Sequence, residues 1–237
     1  MGLQGPQGCG KSTVAAAVIE ALGERGVRAA TVSIDDFYLT RAEQLALSAR
    51  HPDNPYLLYR GYPGTHDVAL GAATIDALKA LGPGDELAIP TYDKSAHGGR
   101  GDRAPRDRWR RVRGPLDVIV VEGWMLGFSA ASPEALEPAL RMPNDALRAY
   151  VDWHRRLDAF VSLRAPSLDI IVHWRIDAER ARRERGEQAL SDDEARDYIE
   201  RFLPAYRAWA PGLAARPPCP DTWAVDLDDD RRPRGDQ

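Results

Sequence analysis

The sequence predicts an α/β fold on a mainly parallel sheet, and two patterns predict it. Short runs of apolar and β-branched residues read as strands at about 29–34 (AATVSI), 86–91 (ELAIPT), 117–122 (DVIVVE), 159–164 (AFVSLR) and 222–227 (TWAVDL). Helical patterns lie between them at about 41–50, 68–81, 144–157, 168–185 and 192–209, with one more ahead at roughly 11–25. Such alternation is the mark of helices packed on a parallel sheet.

In chain order, the first strand is expected to be short or truncated. Only Met1 to Gln4 precede a glycine-rich turn, where a strand ordinarily has about five residues; a start lying upstream would account for this. Val14, Val18 and Leu22 recur at i, i+4 and i+8 and give the first helix a packed face. The second strand runs straight into "DDFY", and the run VIVV at 118–121 ends in Glu122 and Gly123. Ser191 with Glu194 is the capping-box signature of the last helix. No internal repeat or linker divides the chain, so residues 1–237 read as one domain, large enough to bury a full core. The charged end after about 228 predicts a frayed tail with solvated side chains.

Composition excludes several classes. Hydrophobic residues at 43% and charged residues at 29% are ordinary globular values. A net charge of −4 gives no global pull towards nucleic acid or anionic membrane. VIVV is far too short to span a bilayer, and residues 1–30 lack the pattern of a secretory signal. Cys9 and Cys219 make no disulfide framework, which points to a reducing compartment, most simply cytoplasm. Oligomeric state is left open, a monomer being plausible. Lysine occurs only at Lys11, Lys79 and Lys94, so a lysine inside a motif is informative as a compact point charge.

"GPQGCGKS", Gly5 to Ser12, fits G-x-x-x-x-G-K-[ST] in full. Gly5, Gly8 and Gly10 let the backbone turn its N–H groups onto phosphate oxygens. Lys11 is expected to reach the β- and γ-phosphates of ATP, and Ser12 to offer its hydroxyl to Mg²⁺. The helix that follows, with Thr13 in its first turn, points its positive end at the anion. Cys9 stands at a free position of the motif and reads as filler within the loop. The prediction is therefore a P-loop NTPase-type three-layer fold. Ligands of such sheets bind at the carboxyl ends of strands, which places Asp35, Asp36 and Glu122 beside the loop. Asp117, at the start of its strand, lies about 16 Å from that end at ~3.3 Å per residue. Glu122, and not Asp117, is therefore the second acidic partner expected for Mg²⁺, with Asp35 the other.

The lysine positions exclude an N-K-x-D guanine signature, and no L-S-G-G-Q stretch occurs. A carboxylate directly after the second strand suits a kinase, where it takes the proton of an acceptor hydroxyl attacking the γ-phosphate. "DDFY" resembles an element of the uridine kinase, phosphoribulokinase and pantothenate kinase group. "SIDDFYLT" (33–40), "RGYPGTHD" (60–67), "IPTYDKSAHGGRGDR" (89–103), "VIVVEGWMLGF" (118–128) and "SDDEARDYIERFLPAYRAW" (191–209) together resemble the plant-type D-glycerate 3-kinase family. Known members carry more residues ahead of the P-loop. The resemblance implies a P-loop kinase fold, transfer of phosphate from ATP to D-glycerate, and Asp35 as the base.

The acceptor side is expected in a substrate loop at about 89–113. Arginine grips a small hydroxy acid's carboxylate with two parallel hydrogen bonds, and Lys94, Arg100 and Arg103 are the candidates. Arg106 to Arg113 read as a solvated basic stretch. Arg60 and Asp67 are further substrate candidates, with Tyr38 beside the base; His66 reads equally well as a substrate contact or a structural hydrogen bond. A lid is expected at about 177–190, where Arg180 and Arg183 either cover the ATP phosphates or belong to a solvated helix face. An ATP-binding regulator without phosphotransfer, or a kinase for a nucleoside or pantothenate, are the competing readings.

Overall fold

The computed structural model describes residues 1–235. β1 (Gly2–Gln4) leads through the glycine-rich loop into α1 (Lys11–Glu24) and β2 (Ala29–Ser33), whose end tightens into a 3₁₀ turn, Ile34–Phe37. α2 (Arg41–Arg50) and α3 (Val68–Lys79) precede β3 (Glu86–Ile89), β4 (Tyr92–Asp93), the single turn α4 (Ala96–Gly99), β5 (Asp102–Arg103), β6 (Arg110–Arg113) and β7 (Val118–Gly123). Then come α5 (Arg141–Ala146), α6 (Val151–His154), β8 (Phe160–Arg164), α7 (Leu168–Glu184), α8 (Asp192–Glu200), α9 (Leu203–Ala215) and β9 (Thr222–Asp226).

The five-stranded sheet has the order β2-β7-β1-β8-β9, and every pairing in it is parallel. It is buried on both faces. Neighbouring Val120 and Val121 fall into separate core clusters, Val120 with Leu3, Ala15 and Trp174, and Val121 with Ile75, Phe160 and Trp209. That alternation is the period-two geometry of a strand covered on each side by helices. β1 has three residues, all buried. Register sets Leu3 beside Glu122 and Ser33 beside Glu122, so the carboxyl ends of β1, β2 and β7 finish together.

Several expectations are corrected. The strand at 86–91 is not part of the sheet; β3 pairs antiparallel with β6, because β6 buries only Val112 and its arginines keep it at the surface. Arg106–Arg113 is thus partly a strand, with Arg111 and Arg113 paired to Glu86. The face of α1 lies one residue round from the expected one: Ala15 is buried while Val14 is 38% exposed. The helical stretch at 144–157 is broken into short turns. The last helix divides into α8 and α9 at Arg201–Phe202, where Pro204 enters the first turn of α9 and cannot continue an α-helical ladder. The capping box of Ser191 and Glu194 is present.

The tail is not frayed over its described length. Leu227 is buried and bridges to Pro233, and the chain between them folds back onto the P-loop. Residues 236–237, also assigned to that tail, lie outside the described residues.

Candidate active site

Each wall of the site follows from local chemistry. Gly8 and Gly10 adopt φ of 80° and 91°, a region that favours glycine. A Cβ on Gly8 would stand 2.8 Å from the carbonyl carbon of Trp174, so the loop also needs glycine for its close approach to α7. Behind the loop, Tyr206 accepts a hydrogen bond from Gln7 N at 3.1 Å and donates to the Gln7 side chain. Gly5 packs over the Cys9 sulfur, and Cys9 is 3% exposed in the core beneath α1. Burial pushes its thiol pKa up, so the side chain is filler and only the backbone serves the loop. Lys11 folds back, donating to Pro6 O at 3.1 Å.

The 3₁₀ turn after β2 sorts two adjacent carboxylates. Ile34 and Phe37 are buried and share one face at the three-residue period of that helix. Asp35 and Tyr38 share the next face and open on the P-loop cleft. Asp36 turns instead to β4 and accepts from Tyr92 N at 3.3 Å. Burial alone would raise the Asp35 pKa, but the Lys94 ammonium at 2.5 Å, helped by His66 and Tyr38, outweighs it and holds the carboxyl at about 2.

These groups line one cleft of about 300 Å³ at the carboxyl ends of β1, β2 and β7. Gly8, Gly10, Lys11, Ser12 and Thr13 form its floor, and Asp35, Tyr38, Lys94 and Glu122 its walls. Glu122 is 9% exposed, and its carboxylate has no hydrogen-bond or ion-pair partner among the described residues. Ser12 and Glu122 together fit Mg²⁺, a hard ion that takes one or two protein oxygens and completes its shell with phosphate and water. Among the described residues no cage of three His, Cys, Asp or Glu side chains occurs.

The remaining candidates are divided. Tyr92 pairs with Arg103 and Asp93 with Asp102 across β4 and β5, which sets Lys94 and Arg103 at the base of the loop that joins the two strands. Arg103 donates to Tyr38 O at 3.0 Å and faces Asp67 at 3.5 Å, while its buried Nε–H has no partner. Asp67 caps α3, accepting from Leu70 N at 2.9 Å. His66 is buried, stacked on Tyr38 with ring centroids 4.3 Å apart, and its Nδ1 shares a hydrogen bond with the Tyr150 hydroxyl at 2.8 Å. Its pKa is lowered to about 3, chiefly by burial, so it is neutral at pH 7.

Arg60 and Arg100 do not reach the cleft. Arg60 donates to the carbonyls of Gly99, Arg100 and Lys94 and so fastens the loop tip; Arg100 lies over the Tyr59 ring at 4.3 Å. Arg180 and Arg183 also stay away, each paired to Asp192 at 2.5 Å on an exposed surface. The arginine that does line the cleft is Arg175, on α7, held by buried Glu179 and stacked over Tyr198 at 4.8 Å. Sequence reasoning missed it. Its signal was helical spacing: Arg175 and Glu179 form an i, i+4 pair one turn ahead of the arginine cluster.

A P-loop after the central strand β1, carboxylates at the ends of β7 beside it and of β2 one strand further out, and an arginine from α7 make the arrangement of a P-loop kinase. Residues 1–209 match the phosphoribulokinase / uridine kinase family, and the chain belongs to that family. It is 42% identical to the chloroplastic D-glycerate 3-kinase of Arabidopsis thaliana over 98% of this chain and 53% of that protein; it thus spans about half that relative's length. An uncharacterised kinase of Schizosaccharomyces pombe is 34% identical over 87% of this chain and 79% of its own. Among solved structures, a D-glycerate 3-kinase from Cryptococcus neoformans superposes with a TM-score of 0.89 at 32% identity, covering 99% of this chain and 87% of that one. No helix among the described residues is long and apolar enough to cross a membrane.

Proposed function

We propose that this chain is an ATP-dependent kinase that phosphorylates D-glycerate to 3-phosphoglycerate. One observation carries the reading: Asp35 and Lys94 meet at 2.5 Å in the same cleft as the P-loop. A hydroxy acid needs both partners of that pair. Its hydroxyl donates to the Asp35 carboxylate, and its own carboxylate takes over the Lys94 ammonium. The two D-glycerate 3-kinases named above, from Arabidopsis thaliana and Cryptococcus neoformans, support this acceptor.

Paired with Lys94, the Asp35 carboxyl is held at about 2; once the acceptor's carboxylate draws Lys94 away, burial works to raise it. The task of Asp35 is to hold the hydroxyl in line and to receive the proton late. That suffices for phosphoryl transfer, where positioning and charge stabilisation dominate. Lys11 and the loop N–H groups hold the transferred phosphate, and Arg175 adds positive charge from the facing helix. Ser12 and Glu122 would hold Mg²⁺, which when bound neutralises phosphate charge. Neutral, buried His66 keeps Tyr38 in place by stacking. The free, buried Cys9 and Cys219 thiols are in keeping with a reducing compartment, and we place the protein in the cytoplasm.

The test is ADP release with D-glycerate, L-glycerate, glycerol, uridine and pantothenate. D-Glycerate is expected to be turned over best, and glycerol, lacking the carboxylate, poorly. Preference for uridine or pantothenate would reassign the acceptor; ATP binding with no turnover of any would leave a regulator.

A further inference from the structure

The strap after β9 lies beyond the residues matched to the family, which end at 209, and the reaction outlined above gives it no task. Its folding is nonetheless specific. Leu227 is 3% exposed and packs in the cluster of Leu3, Cys9, Ala15 and Trp174. Asp228 closes the turn, accepting Arg232 N on its carboxylate at 2.8 Å and donating its own N–H to Arg232 O at 2.8 Å. Arg231 stands at the tip with φ of 68°, a left-handed conformation that is uncommon for a residue other than glycine and calls for an explanation.

The explanation is what the guanidinium reaches. Arg231 Nε donates to the carbonyl of Gly8 at 2.8 Å, and Nη2 donates to the carbonyl of Trp174 at 3.1 Å and faces Asp177 at 3.4 Å. The group lies over the Trp174 indole at 5.6 Å, and the indole N–H returns a hydrogen bond to Asp229 O at 2.7 Å. One side chain thus ties the P-loop to the turn of α7 that carries Arg175, at the point where Gly8 touches that turn. Arg231 itself does not line the cleft. A carbonyl oxygen facing the phosphates would repel them, and a cation behind the loop draws the Gly8 oxygen to the other side.

We propose that Arg231 is a positioning residue for the nucleotide site, fixing the Gly8 and Trp174 carbonyls so that the phosphate cradle and Arg175 are set before ATP arrives. The proposal rests on the phosphate-binding part of the functional reading and not on the acceptor. Preorganisation of this kind acts on nucleotide affinity.

The test uses the full chain. Mg-ATP binding is measured by calorimetry without acceptor, alongside melting temperature and the Michaelis constants of both substrates. Removal of a charge-assisted hydrogen-bond donor in Arg231→Gln is expected to weaken Mg-ATP binding about tenfold. The acceptor KM should stay within about twofold, since Arg231 does not touch that end. Arg231→Lys keeps the charge but reaches one carbonyl instead of two, so it should lose about threefold; it carries the test if the glutamine variant does not fold. Unchanged Mg-ATP affinity in a folded variant would overturn the proposal, as would equal weakening of both substrates with a lowered melting temperature. Failure of the unaltered protein to bind Mg-ATP would sink the functional reading as well, which separates the two.

Discussion

The two ends of the cleft are built by different means. The phosphate end is backbone: a short strand, a glycine turn and the first turn of α1, adjacent in sequence. The proposed acceptor end is side chain, with Asp35, His66, Lys94, Arg103 and Tyr150 drawn from separate segments and tied by an ion pair, a carbonyl and a hydroxyl. The first kind of site tolerates change between its fixed points. The second depends on each tie, and its residues do different work even when they are neighbours.

The largest effect that would break this contrast is at the phosphate end. Lys11→Ala removes a cation from the transferred phosphate and should lower turnover by about 10³-fold. Its one side-chain hydrogen bond among the described residues is with Pro6 O, so the melting temperature should barely move. Near-normal turnover in a folded variant would end the nucleotide reading.

Asp35 and Asp36 sharpen the contrast within one turn. Turnover of Asp35→Asn under saturating Mg-ATP and acceptor should fall by about a hundredfold. Asp36→Asn keeps an oxygen that accepts from Tyr92 N, so turnover and the acceptor KM should stay within about threefold. A reversal of the two would mean that Asp36 faces the reacting groups.

Arg175 and Arg180 allow the same comparison on one helix. Arg175→Gln should lower kcat/KM for ATP by about tenfold, and Arg180→Gln should stay within about twofold, since an exposed pair with Asp192 contributes little. Steady-state kinetics of the pair decides whether the cleft-lining arginine or the surface one serves the phosphates.

Stability offers a separate reading. Burial lowers the His66 pKa to about 3 and the His154 pKa to about 4, and His154 Nε2 accepts the Gly127 N–H at 2.9 Å. Below the ordinary histidine value of about 6.5 the unfolded chain takes up protons that the folded chain refuses. Their full contribution is therefore present above that pH and falls with acidification, by about 2 kcal/mol for each histidine at pH 5. Chemical denaturation at pH 7 and pH 5 measures it, and His154→Gln should flatten part of the slope.

Legibility in the sequence follows the same division. Gly5 to Ser12, the strand ends at Asp35 and Glu122, and the alternation of elements were readable because spacing alone carries them. Arg60, Arg100, Arg180 and Arg183 were grouped with the site from charge, yet their partners are the loop carbonyls, Tyr59 and Asp192. Arg175 stood outside the expected lid range, and only the seating of α7 on Gly8 brings it to the cleft. The strand at 86–89 looked like a sheet member because pattern cannot tell a strand's partner. The strap was read as frayed because its charges hid the buried Leu227.

The position of β1 has a consequence in time. Leu3 takes its place between Glu122 and Val161, so the strand that anchors the phosphate loop has no neighbour on either side until both distant strands have been synthesised and docked. Pairings of such long sequence separation close slowly. The eight-residue motif that is easiest to recognise is, during assembly, a loop without a scaffold, and nucleotide binding can report only on chains whose sheet is already complete.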